Sequence, residues 1–331
     1  MSSHSNSNGF ISINGQKERF IAKRQIRRHT YFLLKKIGSP FRERYLAFCR
    51  DIGPSGKYFL VQEWGDEPEA EQFWNAVRKV KLNDFPEVID FQRTASGFVC
   101  VLSWVEGIPL PEYIKNLKGG VRGLDAVETV RLISKLAGSI SRLHQYCHVI
   151  HGDLHPKNII VRRHPHALIP IDYGSSWSLL RGANRTQGDG SIGFYASPER
   201  QLENSFAGPS SDMFSVFVIL YELLTEQIPY SRLGGKAGLP ENIEHMRNKF
   251  VPPSKIAPKC QCLPRSIQQQ LDNLVAKGLS LNPEERFASS RDCANALRDM
   301  LRILQSPPTS NPASRFAIQV IDWVCRKLNI S

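Results

Sequence analysis

Apolar residues recur along the chain in two spacings, and each spacing predicts its own kind of element. Short apolar runs predict strands at Tyr31-Phe32-Leu33-Leu34 and at Tyr58-Phe59-Leu60-Val61-Gln62. Ile159-Ile160-Val161 and Ala167-Leu168-Ile169-Pro170-Ile171 predict a short strand pair further on. Asp66-Glu67-Pro68-Glu69 has the residues of a capped helix start, and Phe73, Val77 and Val80 continue it as an apolar stripe at helical spacing. A second stripe, Phe316, Val320, Trp323, Val324 and Leu328, faces away from Arg315, Asp322 and Arg326, which predicts an amphipathic helix over 315–331. The Pro- and Ser-rich stretch at 305–314 separates that helix from everything before it.

The strand pair matters because it sets Asn158 and Asp172 at neighbouring strand ends, next to His151-Gly152-Asp153-Leu154-His155-Pro156-Lys157-Asn158. Phosphoryl transfer asks a protein for one carboxylate to take the nucleophile's proton and for oxygen ligands that hold hard cations on the phosphates. Asp153 fits the first role, and Asn158 and Asp172 fit the second. Taken singly, Asp153 reads as a turn acid and Asp172 as a strand-end cap. Together and in this order they point to an enzyme that uses ATP and Mg2+.

Here the sequence resembles the protein kinase family, whose catalytic loop reads H-R-D-L-x-x-x-N and whose metal motif reads D-F-G; Asp172-Tyr173-Gly174 stands at the second. Ser191-Ile192-Gly193-Phe194-Tyr195-Ala196-Ser197-Pro198-Glu199 is similar to the segment ending in A-P-E. The stretch from Ser211 to Thr225 resembles the buried helix that follows, and Asn282-Pro283-Glu284-Glu285-Arg286-Phe287 resembles the late arginine motif. The resemblance covers residues 30–304. It implies an α+β fold of two lobes, a small antiparallel β-sheet lobe with one helix (30–105) and a large, mostly helical lobe (106–304). It also implies that Asp212 braces the catalytic loop, that Arg286 pairs with Glu199, and that Leu102 is the gatekeeper. Backbone groups of Ser103 and Val105 would then face adenine, with Ile37 and Ile160 among the residues around the nucleotide. H-G-D-L-H-P-x-N is also the wording of small-molecule phosphotransferases such as the aminoglycoside kinases. The segment from Ser191 to Glu199 favours a protein substrate, and Ser191 favours a Ser/Thr acceptor. Gly152 replaces the arginine that usually receives an activation-loop phosphate, and His155 replaces a lysine that contacts the transferring phosphate.

The N-terminal part departs further from the family pattern. Only Gly38 survives of three phosphate-loop glycines, and Pro40 and Arg42 take the other two places. Gln62 stands where the phosphate-gripping lysine belongs, Leu60 replaces a small alanine, and Arg44 replaces a valine on the pocket roof. Arg42 occupies the place from which the with-no-lysine kinases supply a replacement cation, with Lys57 as the alternative should the register differ. Glu69, then Glu71, are the candidates for the regulatory helix's glutamate. Two functions follow: a serine/threonine protein kinase, or a pseudokinase that keeps the fold as a binding or scaffolding module.

Charge and composition add less. Across 331 residues, 43 Lys and Arg against 31 Asp and Glu give +12, with Lys17, Arg19, Lys23, Arg24, Arg27, Arg28, Lys35 and Lys36 clustered early. Such a run attracts nucleic acid or an acidic membrane. No nucleic-acid-binding motif accompanies it, so residues 1–29 are expected to be a solvated basic extension and no specific nucleic acid is expected. No apolar run approaches the roughly 20 residues of a membrane span. Seven cysteines without zinc spacing read as reduced thiols, so a cytoplasmic protein is expected. The amphipathic helix at 315–331 is expected either to dock on the large lobe or to bind a membrane surface or partner.

Overall fold

Asn14 and Gly15, both at positive φ (50° and 81°), turn the chain between β1 (Gly9–Ile13) and β2 (Gln16–Phe20), which pair antiparallel with Ile13 opposite Gln16. The computed structural model describes residues 9–37, 43–53, 55–65, 68–80, 84–118, 124–172, 177–178, 193–202, 208–246 and 249–306. β3 (Ala22–Ile26), β4 (His29–Lys36), β5 (Glu43–Cys49), β6 (Lys57–Trp64), β7 (Val88–Thr94) and β8 (Gly97–Ser103) form one antiparallel sheet in the order β3-β4-β5-β6-β8-β7.

For residues 9–29 this corrects the expectation of a solvated basic extension over 1–29. Three strands precede the one containing Tyr31, and their charges have specific partners. Arg24 pairs with Glu63 at 2.9 Å, Lys23 lies over the Phe20 and Phe32 rings, and Arg27 donates to the Phe91 carbonyl. Ile11, Ile13 and Phe20 form a small core with Phe48. The Asn-Gly turn between alternating apolar residues is a hairpin signal that the charge-based reading passed over.

β7, at one edge of the sheet, is tied to β4 by polar contacts. Asp90 on β7 accepts from the Tyr31 hydroxyl at 2.6 Å and sits 2.7 Å from His29 Nδ1. Burial, with the Asp90 hydrogen bond, pushes the Tyr31 phenol far above its ordinary range, so it stays a donor. This arrangement encloses the outer sheet face, where Leu33, Ala47, Phe59, Val61 and Val101 are buried. The inner face carries Trp64, Cys100 and Leu102 and packs on α1 (Pro68–Lys79) through Phe73, Trp74 and Val77.

The helical lobe begins with β9 (Ile108–Pro109) and α2 (Leu110–Lys118). α3 (Ala126–Arg142) follows, capped by Asp125, whose side chain accepts from the Glu128 N–H at 2.7 Å. β10 (Val149–Ile150), β11 (Ile159–Arg162), β12 (Ala167–Pro170) and β13 (Trp177–Ser178) carry the loops of the site. β11 and β12 pair with Ile159 opposite Pro170, so Asn158 and Ile171 flank the same end, and the Ile171 N–H donates to the Asn158 carbonyl at 2.8 Å. After α4 (Pro198–Gln201), α5 (Pro209–Thr225) runs through the lobe with fourteen of its seventeen residues buried, as an all-round apolar helix must. α6 (Ile243–Met246), α7 (Pro253–Ile256), α8 (Pro258–Gln261), α9 (Arg265–Gly278) and α10 (Ser290–Gln305) complete the lobe. Among the described residues no helix is long and apolar enough to cross a membrane. The expected tail helix at 315–331 lies outside the described residues.

Gly107 joins the lobes at φ 156°, and a Cβ there would stand 2.3 Å from the Val161 carbonyl oxygen. That neighbour is strand backbone and cannot rotate away. Gly107→Ala is expected to lower stability by about 1–3 kcal/mol, read as a fall in the thermal midpoint.

Candidate active site

The loop 151–158 is held from below by one carboxylate. Asp212 on α5 accepts from the backbone N–H of His151 (2.7 Å) and of Gly152 (2.8 Å), and its Oδ2 lies 2.8 Å from His144 Nε2. Burial alone would push this carboxyl up, but His144, His151 and the Gly152 N–H outweigh it and hold it below the ordinary aspartate range. Gly152 takes φ 74°, a conformation that a residue with a Cβ enters only under strain. His151 is wholly buried, and burial lowers its pKa despite three nearby carboxylates. A neutral ring fits its contacts: Nε2–H donates to the Ile171 carbonyl at 3.1 Å, and Nδ1 accepts from the Asp153 N–H at 3.3 Å.

Asp153, His155 and Asn158 come together on this loop. Asn158 Nδ2 donates to the Asp153 carbonyl (3.0 Å) and to its carboxylate Oδ2 (3.1 Å), and His155 Nε2 lies 3.7 Å from the same oxygen. Burial opposes ionisation of Asp153, yet His155, Arg200 and His151 together bring its pKa below the ordinary value. Its other oxygen, Oδ1, is buried with no hydrogen-bond partner among the described residues. Because the Asn158 amide nitrogen makes both bonds to Asp153, its Oδ1 is the atom left to face a ligand.

Asp172, at φ 64°, meets the small lobe directly. Arg44 on β5 grips it with two hydrogen bonds, Nη1 to Oδ2 at 2.5 Å and Nη2 to Oδ1 at 2.6 Å. Arg44 stands opposite Gln62 in the β5–β6 register, and Gln62 stands opposite Cys100 on β8. Gln62 is 2% exposed, and among the described residues neither its Oε1 nor the buried Nε of Arg44 has a hydrogen-bond partner. The sequence reading placed Arg44 on the pocket roof and missed its partner. The signal present was faint, a cation in the same cross-strand row as the neutral Gln62.

The neighbouring row is apolar: Leu46 opposite Leu60, and Leu60 opposite the buried Leu102. Ser103 donates its N–H to the Glu87 carbonyl at 2.8 Å, while the Val105 N–H makes no hydrogen bond among the described residues. Ile160 on β11 and Ile37 past the end of β4 are partly exposed. Gly38, Arg42 and Ser191 lie outside the described residues, as does the side chain of Glu69. Glu71 pairs with Arg93 of β7.

At the far end of the site, Arg286 binds Glu199 with two hydrogen bonds, Nη1 at 2.8 Å and Nη2 at 2.9 Å. Its Nε donates to the Ser280 carbonyl, and its guanidinium lies over Phe214. Burial would raise the Glu199 pKa, but Arg286 and the Ser211 hydroxyl outweigh it and the pKa falls.

Comparison with known proteins agrees with this geometry. The chain is similar to the serine/threonine-protein kinase PrkC of Bacillus subtilis, 25% identical over 232 residues, 69% of this chain and 33% of that protein. It is also similar to the serine/threonine-protein kinase PknB of Mycolicibacterium smegmatis, 27% identical over 215 residues, 64% of this chain and 31% of that protein. The chain thus spans about a third of the length of these curated relatives. Among solved structures, the Cydia pomonella granulovirus kinase PK-1 is similar at a TM-score of 0.59 and 18% identity, over 80% of this chain and 92% of that one. The PknI kinase domain of Mycobacterium tuberculosis is similar at 0.53 and 17%, over 82% and 96%; both show the two-lobed fold. Residues 66–299, more than half of the chain, match the protein kinase domain, and the chain belongs to that family.

Proposed function

We propose that the chain is a serine/threonine protein kinase, transferring the γ-phosphate of ATP to a protein hydroxyl with Asp153 as the base. The observation that carries this reading is the geometry of Asp153: its carboxylate is fixed through one oxygen by Asn158, its other oxygen is buried with no hydrogen-bond partner among the described residues, and His155, Arg200 and His151 lower its pKa against the effect of burial. An acceptor hydroxyl placed against Oδ1 would be oriented and would lose its proton to it. His155 sets an imidazole nitrogen beside the base, 3.7 Å from its Oδ2. Asp212 keeps the loop's backbone in place, and Glu199–Arg286 keeps the segment after it in place.

The pocket's residues suit ATP and magnesium. Leu60, Leu102, Ile160 and Ile37 offer apolar walls to adenine, and the Val105 N–H and the Ser103 carbonyl are the backbone groups available to its edge. Asn158 Oδ1 and the Asp172 carboxylate are hard oxygen donors of the kind magnesium takes. Bound there, the ion would neutralise phosphate charge.

The second reading, a pseudokinase acting as a binding or scaffolding module, has its own support in Gln62 at the lysine position and in Arg44 on Asp172. Thermal denaturation with ATP tests the nucleotide binding that the kinase reading requires. Millimolar ATP with magnesium is expected to raise the midpoint beyond ATP in EDTA, and Asp172→Ala is expected to remove that increment. A wild-type chain indifferent to ATP, with or without magnesium, would leave the pseudokinase reading.

A further inference from the structure

We propose that Arg44 is the phosphate-binding cation of this chain, doing from β5 what a lysine at position 62 does elsewhere in the family, and that Asp172 holds it in place until a nucleotide arrives. The proposal rests on the kinase reading only for the presence of a nucleotide in the cleft.

The register supplies the geometry. Residues directly opposite in an antiparallel pair project from the same sheet face with Cβ atoms about 5 Å apart. Arg44 and Gln62 are such a pair, so a cation launched from 44 starts beside the place a lysine at 62 would start. Its reach is demonstrated, because the guanidinium already crosses to Asp172 of the large lobe.

Unsatisfied atoms mark the same spot. Gln62 Oε1 and Arg44 Nε, in one cross-strand row, are both buried without a hydrogen-bond partner among the described residues. Buried polar atoms are rarely left so, and two together point to a polar group that the protein alone does not provide. A phosphate accepting from Arg44 Nε would satisfy the donor, and a water or ribose hydroxyl would satisfy Gln62.

Electrostatics makes the exchange feasible. Side chains of Arg44 and Asp172 are 14% and 23% exposed, so the pair is neither sealed from solvent nor fully screened. A guanidinium exchanges a carboxylate for a phosphate readily, because both accept its paired donors. Once it moves, Asp172 no longer gives both oxygens to Arg44. A plug that only blocked the cleft would use Asp172 equally well but would give Gln62 Oε1 and Arg44 Nε no ligand.

The test uses the full chain and measures ADP and ATP affinity by calorimetry, each in magnesium and in EDTA, with thermal melts confirming that every variant is folded. Arg44→Val is expected to weaken binding about tenfold or more, the worth of a charged hydrogen bond, and to do so in EDTA as well. Arg44→Val/Gln62→Lys is expected to recover affinity to within a few-fold of wild type, since the cation returns from the neighbouring strand. Unchanged or tighter binding by Arg44→Val would overturn the proposal and make Arg44 a plug. If neither wild type nor any variant binds nucleotide, the proposal and the kinase reading fall together. If wild type binds through Arg44 but transfers no phosphate, only the catalytic reading fails.

Discussion

Arg286→Ala is expected to destabilise the protein by about 3–5 kcal/mol, because it leaves the Glu199 carboxylate inside the large lobe without its counter-charge. The Arg286 side chain is 2% exposed and binds through both terminal nitrogens, so the pair falls outside the class of surface ion pairs worth less than about 1 kcal/mol. The loss extends further: the Ser280 carbonyl loses a donor and Phe214 loses its covering guanidinium. A fall in midpoint of roughly 10 °C follows for a domain of this size. The pH dependence has a definite sign. The folded-state pKa of Glu199 is depressed, so the stability it contributes is fully present above the unfolded glutamate value and is lost as pH falls through the folded one. In Arg286→Ala the buried, unpaired carboxylate is relieved by protonation. The gap in midpoint between wild type and variant should therefore narrow on acidification, and a gap of equal size at all pH values would argue against the pair.

Residues whose partners lie near in sequence, or whose pattern repeats, were legible. The β11–β12 pair and α1 follow from apolar runs and helical spacing, because a strand pair and an amphipathic helix each write their period into the chain. The grouping of Asp153, His155 and Asn158 on one loop was legible because they lie within eight positions of one another. Two features were not. β1–β3 carry their charges as strand residues paired across the sheet, and a run of Lys and Arg looks the same in a strand as in a solvated tail. Arg44 and Asp172 are 128 residues apart, and their contact exists only because two lobes close on each other. His144 escaped notice for a related reason, since its partner Asp212 comes from another helix. Spacing within one strand or loop carries no record of either contact.

The other large effect is expected at Asp153. Asp153→Asn keeps the size and a hydrogen-bonding oxygen but removes the base, and positioned proton transfer contributes typically 10²–10⁴-fold. His155 and Arg200 lower the Asp153 pKa, so the carboxylate should remain ionised through the mildly acidic range. The acid limb set by this group should then fall below the ordinary aspartate value, and any loss of rate nearer neutrality belongs to another group. Asp153→Asn keeps an oxygen that can accept from Asn158 Nδ2, so the variant is expected to fold, and its midpoint, measured alongside, checks that the loss of rate is not loss of structure.

The most direct measurement is transfer of radiolabelled γ-phosphate from ATP, with magnesium, to serine and threonine of a protein acceptor such as casein and of the chain itself. Wild type is expected to incorporate label, with Asp153→Asn reduced at least a hundredfold while still binding ATP. Equal incorporation by the two proteins, or none by a folded wild type that binds ATP, would contradict the assignment of Asp153 as the catalytic base.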